Sequence, residues 1–424
     1  ERLDCPVVLV CADEGECARL AADVTALTGE PAAIIGAREF LFHEGAVASR
    51  QWEHQRIAAF QAMAQGKTRL IAATVEGLMQ RTMPPEELAA HVVEVDAKGS
   101  YDLEELAGRL AALGYTRCQQ VEGVGQFALR GGILDVFSPL MDEPVRCEFF
   151  DDEIDSLGSF DTATQRRTKN LTSALLLPAS ELPEGAEPAP VFAYLPGDAL
   201  VCLNETARLG ERVKNVLWQA REDTESLLAA GEANGDLTRL LLSQGEWLEG
   251  LEGFALCMLE ALPTSRYPLP PRTLLSVTAK QLSAYGGSID AAAGEIGHYL
   301  SSGFGVLLLC GSAARARSLQ RMLQERDVPA ALDFDGASMP GPGEARIAVG
   351  ALSAGAEYPQ LNLAVLTEGQ LTAPASGRTA PRRAARDNRQ KLLSYADLTP
   401  GDLVVHAHHG IGRFEGIRKM PVDG

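Results

Sequence analysis

Residues 127–167 read FALRGGILDVFSPLMDEPVRCEFFDDEIDSLGSFDTATQRR. From Val145 to Phe150 the side chains alternate with the two-residue period of a strand that buries one face. Val145, Cys147 and Phe149 point towards a core, and Arg146, Glu148 and Phe150 point away from it. An arginine and, four residues on, a large aromatic form the kind of pair that protein-binding faces use as an anchor. The plainer reading of the same pattern is a half-buried antiparallel sheet with solvated arginines and Phe150 tucked under a neighbouring element. Gly131 and Gly132, directly after Arg130, predict a bulge or a close backbone approach that re-aims the strand. The acidic run Asp151, Asp152 and Glu153 closes the hairpin.

At 424 residues the chain is long enough for about three domains. A hydrophobic share of 46% against 22% charged residues is a globular balance. With 57 acidic residues against 38 basic ones the net charge is −19, which disfavours a surface that coats a phosphate backbone and favours a protein partner. Eight cysteines, with no C-x-x-C pair and several in apolar runs, read as buried thiols of a reducing cytoplasm. No signal peptide and no apolar run of bilayer length is present, so no membrane partner is expected. The first residue is Glu1 and not methionine, and the expectation is a fragment of a longer protein.

The pattern along the chain predicts a multidomain α/β protein. CPVVLVCA is a strand, and DEGECARLAADVTALTG is a helix that stops at Gly29. A helix over Trp52 to Met63, the strand TRLIAATVE and a helix-like GLMQRT halted by Pro84 and Pro85 complete a parallel α/β lobe over residues 1–91. An inserted α+β domain over 92–180 begins with the strand HVVEVDAKG and the helix YDLEELAGRLAALGY. ELPEGAEPAP, from Glu181 to Pro190, reads as its exit linker. The lobe resumes over 191–296 with helical spacing in ERVKNVLWQAREDTESLLA and DLTRLLLSQGEWLEGL, and then a short apolar run at Leu274. A small α/β domain follows over 297–371, a basic linker over 372–396 and the strands of a small β-barrel over 397–424.

Two motifs fail chemical tests. Gly66-Lys67-Thr68 matches the tail of a phosphate loop, but Gln61 stands where its first glycine belongs and the triplet precedes a strand. A phosphate cradle must leave a strand and open a helix, so that amides and helix dipole converge on the anion. His406, His408 and His409 have no cysteine or carboxylate at zinc-ligand spacing, and the alternation there fits a strand pair. No metal ligand, cofactor site or catalytic residue is assigned in this chain.

The words RGGILDVFSP, VRCEFFDDEIDSLGSFD and TQRR, in this order, resemble the segment shared by the excision-repair protein UvrB and the transcription-repair coupling factors. AREFLF and VASRQWEHQRIAAF also resemble the first lobe of the coupling factors, and LTPGDLVVHAHHGIGRFEGI resembles the opening strands of their polymerase-interacting barrel, which UvrB lacks. The resemblance implies a degenerate helicase-like parallel lobe whose inserted domain docks on UvrA, the damage-recognition ATPase. It assigns the UvrA-contacting positions to Arg130, Arg146 and Phe150, the arginines bonding acidic groups and Phe150 filling an apolar recess. It further implies that the barrel beginning near Pro400 binds RNA polymerase, and that DNA, ATP and Mg²⁺ belong to motor domains of the longer protein, a DNA translocase. In the family the UvrA face is covered by a C-terminal domain at rest, so this chain is expected to be open.

VFAYLPGDALVCLNETARL is similar to UvrB's magnesium-holding strand, with Asn204-Glu205 where an acidic pair belongs. Asparagine lacks the charge that holds Mg²⁺ through its water shell, so this position predicts a lobe without nucleotide chemistry. Asn204 is also well suited to cap the following helix. The rival readings are a nucleotide-hydrolysing UvrB-like lobe truncated before its phosphate loop, and a regulator that keeps the barrel without a motor.

Overall fold

The structure is a computed structural model and describes residues 4–38, 50–183, 186–231, 237–262, 267–282, 284–334, 339–371, 403–406 and 410–413. Its first lobe begins with β1 (Val7–Cys11), α1 (Glu14–Thr28), β2 (Ala33–Ile35), α2 (Gln51–Ala64), β3 (Leu70–Thr74), α3 (Val75–Met79) and α4 (Pro85–His91). Asp13 caps α1 by accepting from the Glu16 amide, and Gly29 ends it at φ 77°, a backbone that costs glycine little. The expected helix GLMQRT is instead Val75–Met79, with Thr74 as its cap, and Gln80 and Thr82 are extended. Pro85 opens α4 where a stop was expected, because the first helical turn has no use for its missing N–H.

The inserted domain comprises β4 (Val93–Asp96), α5 (Leu103–Ala112), β5 (Thr116–Arg117), β6 (Gln126–Arg130), β7 (Ile133–Val136), β8 (Val145–Phe150), β9 (Glu153–Phe160), β10 (Arg167–Asn170) and β11 (Ser173–Leu176). Its main sheet runs β10-β9-β8-β7-β6-β5, antiparallel except for the β5/β6 pair, and β11 pairs with β4 separately. Leu106, Ala107 and Leu110 of α5 pack with Phe127, Leu134, Val136, Val145, Cys147 and Leu157 of the sheet in one core. Gly131 and Gly132 form the two-residue turn of the β6/β7 hairpin, which pairs Arg130 with Ile133, and only Gly131 has positive φ. The close approach lies at Gly132, where a side chain would meet the Phe149 carbonyl at 3.0 Å. The β8/β9 turn is Asp151-Asp152, with Asp151 left-handed.

The lobe is completed by β12 (Leu200–Asn204), α6 (Thr206–Ala230), α7 (Gln244–Glu252) and β13 (Ala255–Leu259), the last a strand that the sequence reading did not assign. The sheet order β13-β12-β1-β3-β2 is parallel throughout, with β1 at its centre. The helical spacing expected from Asp236 onward breaks at Ser243, which opens α7 through a capping box with Glu246. The apolar run at Leu274 forms no strand; Leu274, Leu275 and Val277 are exposed.

A further mixed sheet, β14-β18-β19-β15-β17-β16, is built from β14 (Lys280–Gln281), β15 (Gly305–Cys310), β16 (Ala331–Asp333), β17 (Ala345–Val349), β18 (Ala356–Tyr358) and β19 (Leu363–Thr367). Three helices accompany it, α8 (Ile289–Ser301), α9 (Ala313–Gln324) and α10 (Glu368–Leu371). Ala292, Ala293, Ile296 and Tyr299 of α8 join its core, so this domain starts before residue 297. A separate unit over Thr372–Gly424 has an antiparallel pair described, β20 (Leu403–His406) with β21 (Gly410–Arg413). The basic linker, His408 and His409 lie outside the described residues.

One junction positions the insert. The Arg50 guanidinium, at the start of α2, donates to the Gly114 carbonyl at 3.0 Å and to the Ala179 carbonyl at 2.5 Å. Glu53 accepts from the Glu181 amide at 2.7 Å. Arg56 makes a two-point bond to the Glu181 carboxylate at 2.9 and 2.8 Å and also donates to the Gly36 and Gly77 carbonyls. Glu181 is therefore no part of a solvated linker. It is fully buried, and Thr82 pairs with Ala189 at the far end of that segment.

Candidate functional site

The outer face of the inserted sheet divides into a closed end and an open one. At the closed end Val121, Ala128 and Phe160 form a small buried cluster. Asp135, wholly buried, stands beside Arg146 across the β7/β8 pair and beside Ala128 across the β6/β7 pair. Arg146 donates Nε and Nη2 to the two Asp135 oxygens at 2.7 and 2.9 Å and reaches the Gln165 backbone and side-chain oxygens at 3.2 and 3.1 Å. Its guanidinium carbon lies 4.3 Å from the centre of the Phe160 ring. Hydrogen bonding to Asp135 raises the Arg146 pKa above its ordinary value, with burial acting against it.

Arg130 comes from the neighbouring hairpin and donates Nη2 to the same Asp135 oxygen at 2.7 Å. The three predicted contact residues differ sharply in accessibility: Phe150 is 81% exposed, the Arg130 side chain 47% and the Arg146 side chain 17%. Arg130 leads into the Gly131-Gly132 turn, the Phe149 amide donates to the Gly132 carbonyl at 2.7 Å next to Phe150, and a Glu148–Arg167 ion pair at 3.1 Å lies on the same face. Phe150 thus stands free where the plainer reading tucked it away. Arg146 has four of its five N–H groups engaged within the chain and acts first as a brace.

The crevice of the first lobe has a different character. β1 is the central strand, and α1 starts just beyond it, the position where a parallel α/β fold places a phosphate. Here the connection ends in Asp13 and the first turn of α1 carries Glu14 and Glu16. The Glu16 carboxylate accepts from the Ala12 amide at 3.1 Å, from Asn204 Nδ2 at 2.8 Å and from Arg208 at 3.3 Å. Asn204 is the last residue of β12 and not a helix cap; Glu205 occupies the cap position with left-handed backbone and no capping bond, and the Glu260 carboxylate receives the Thr206 amide. An amide suits position 204 because a carboxylate there would confront Glu16. Gly66-Lys67-Thr68 joins the end of α2 to β3, the reverse of a phosphate loop's polarity. Among the described residues no cluster of three or more metal-ligating side chains occurs, and no helix is long and apolar enough to cross a membrane.

The family profile of the UvrB interaction domain matches residues 93–182, and that of the CarD-like/TRCF RID domain matches 398–424. The transcription-repair-coupling factor of Staphylococcus aureus (strain Mu50 / ATCC 700699) is 25% identical over 443 residues, covering 91% of this chain. That of Bacillus subtilis (strain 168) is 26% identical over 482 residues, covering 99%. The chain is thus similar to transcription-repair-coupling factors along nearly its whole length. It spans 37% and 40% of the length of those two relatives. The site described above lies within the UvrB interaction domain.

Sequence reasoning missed Asp135. The signal was present, since a two-residue turn at Gly131-Gly132 pairs residue 130 with 133, and the strand period then puts Asp135 on the face of Arg130. Gln165 gave no comparable signal, because its contact with Arg146 depends on a left-handed turn after β9.

Proposed function

We propose that this chain is a UvrA-recruiting adaptor, the part of a transcription-repair-coupling factor that links stalled RNA polymerase to nucleotide-excision repair. The observation that carries this reading is Phe150, exposed beside the half-exposed Arg130 on the outer face of a UvrB interaction domain. A single exposed aromatic is ordinary on a protein surface; what supports the reading is an aromatic and an arginine, the residue types that dominate binding hot spots, on one sheet face of the matched domain. Phe150 inserts into an apolar recess on UvrA, Arg130 bonds an acidic group at its edge, and Arg146 supports both from behind. Residues 398–424 begin the RNA-polymerase-binding barrel. The first lobe is a former motor lobe that binds neither ATP nor Mg²⁺, its phosphate position taken by Glu16. The longer protein is a cytoplasmic, ATP-driven DNA translocase whose motor domains supply DNA binding and hydrolysis.

The test is calorimetric titration of the chain with UvrA. Phe150→Ala is expected to weaken binding by about 2–3 kcal/mol, as for a central aromatic anchor, with the unfolding midpoint unchanged. A well-folded wild-type chain that does not bind UvrA would overturn the proposal.

A further inference from the structure

The second role on this face belongs to a residue that no partner can touch. We infer that Asp135 is a positioning residue for the docking face, fixing the geometry of Arg130 and Arg146 at the expense of the charge they present; this rests on the UvrA reading above. Two guanidiniums from adjacent hairpins converge on one fully buried carboxylate. Arg146 occupies both Asp135 oxygens in a planar two-point bond, and the Phe160 ring and Gln165 fix the rest of its fork. Arg130 shares one of those oxygens through Nη2, and its side chain is half-exposed, so a tethered guanidinium remains accessible to a partner.

The cluster carries a net charge of +1, presented through Arg130. An outer face designed only to attract an acidic partner would do better without Asp135, since removing that carboxylate doubles the local positive charge. Its presence makes sense where orientation matters more than charge. An ordered arginine has already lost the rotamer freedom that binding would otherwise cost it.

This gives Asp135→Asn a sign that separates the two roles. If charge alone governs docking, the neutral variant binds UvrA more tightly; if positioning governs, it binds about tenfold more weakly. The experiment compares UvrA affinity of the wild-type chain, Asp135→Asn, Arg130→Ala and the double variant, with Nε–Hε NMR signals of arginine recorded on each chain alone. Positioning predicts that Arg146 Nε–Hε exchanges slowly with water in the wild type and rapidly in Asp135→Asn. It also predicts that the tenfold loss shrinks once Arg130 is already alanine. Equal or tighter binding by folded Asp135→Asn overturns the inference. Should that variant fail to fold, Arg146→Lys keeps every charge but cannot form the fork, and unchanged affinity there overturns it equally. If the wild-type chain does not bind UvrA, the adaptor reading fails first, and the exchange of Arg146 Nε–Hε in Asp135→Asn then decides the positioning role by itself.

Discussion

Two clusters in this molecule share one composition, two arginines around one carboxylate, and put it to opposite use. Arg38 and Arg56 enclose Glu181 where the inserted domain rejoins the lobe, and all three are buried. Arg130 and Arg146 hold Asp135 on the outer sheet, and there one guanidinium is half in water. Burial alone would raise the Glu181 pKa, but the charges of Arg56 and Arg38 outweigh it and keep the group below its ordinary value. The sealed cluster joins two parts of the chain, whereas the open one displays a surplus charge. Exposure of a single guanidinium separates a sealed structural joint from a charge open to solvent.

The sharpest way to break that comparison is to cut one arginine from each cluster. Arg56→Ala leaves Glu181 short of its two-point partner and strips the Gly36 and Gly77 carbonyls of their donor. It is expected to cost about 3–5 kcal/mol in urea unfolding, because a buried carboxylate loses its two-point bond and keeps only Arg38 as a charged partner while two carbonyls lose their donor. A loss below about 1 kcal/mol would mean that water reaches the joint.

Next in size is a pH effect at the same joint. His54, two residues before the Glu181 partner Arg56, is pushed down to about 4 by burial and then by the Arg50 charge. Its folded-state value lies below the ordinary 6.5, so the unfolded chain takes up the proton first. Stability is intact above about pH 6.5 and falls by roughly 3 kcal/mol as pH drops to about 4. The difference in unfolding free energy between wild type and His54→Gln, followed from pH 7 to pH 4, measures this contribution; parallel curves would refute it. The smallest effect belongs to the open cluster. Arg130→Ala should change stability by less than about 1 kcal/mol, because the pair is half-solvated and Arg146 still satisfies Asp135. Equal losses in Arg56→Ala and Arg130→Ala would erase the distinction between the clusters.

Legibility of the fold in the sequence followed the range of the interactions involved. The strand Val145–Phe150 could be read to the residue because an unbroken two-residue period is closed by Pro144 and Asp151. The β13 strand was invisible by contrast, since ALCML is short and takes its place only by pairing with β12. Asn204 was read as a cap on local propensity, and a partner 188 residues away decided otherwise. Glu181 looked like linker in its proline-rich surroundings, while Arg56, 125 residues earlier, buries it. The candidate site divides in the same way. Phe150 could be placed on the outer face from alternation alone, but its freedom from cover could not. Arg146 could be chosen as a surface residue, yet its engagement with Asp135 and Gln165 needed three strands and a turn in register.

The grip of α2 on the inserted domain has a mechanical consequence. Arg50 holds the carbonyls of Gly114 and Ala179, Glu53 holds the Glu181 backbone, and Arg56 holds its side chain. Entry and exit of a domain joined by two free tethers would let it swing and lose any push applied to the lobe. Bolted along one helix, it behaves as a bracket: force on the lobe arrives at Phe150 as displacement, and load on Phe150 is returned to the central sheet.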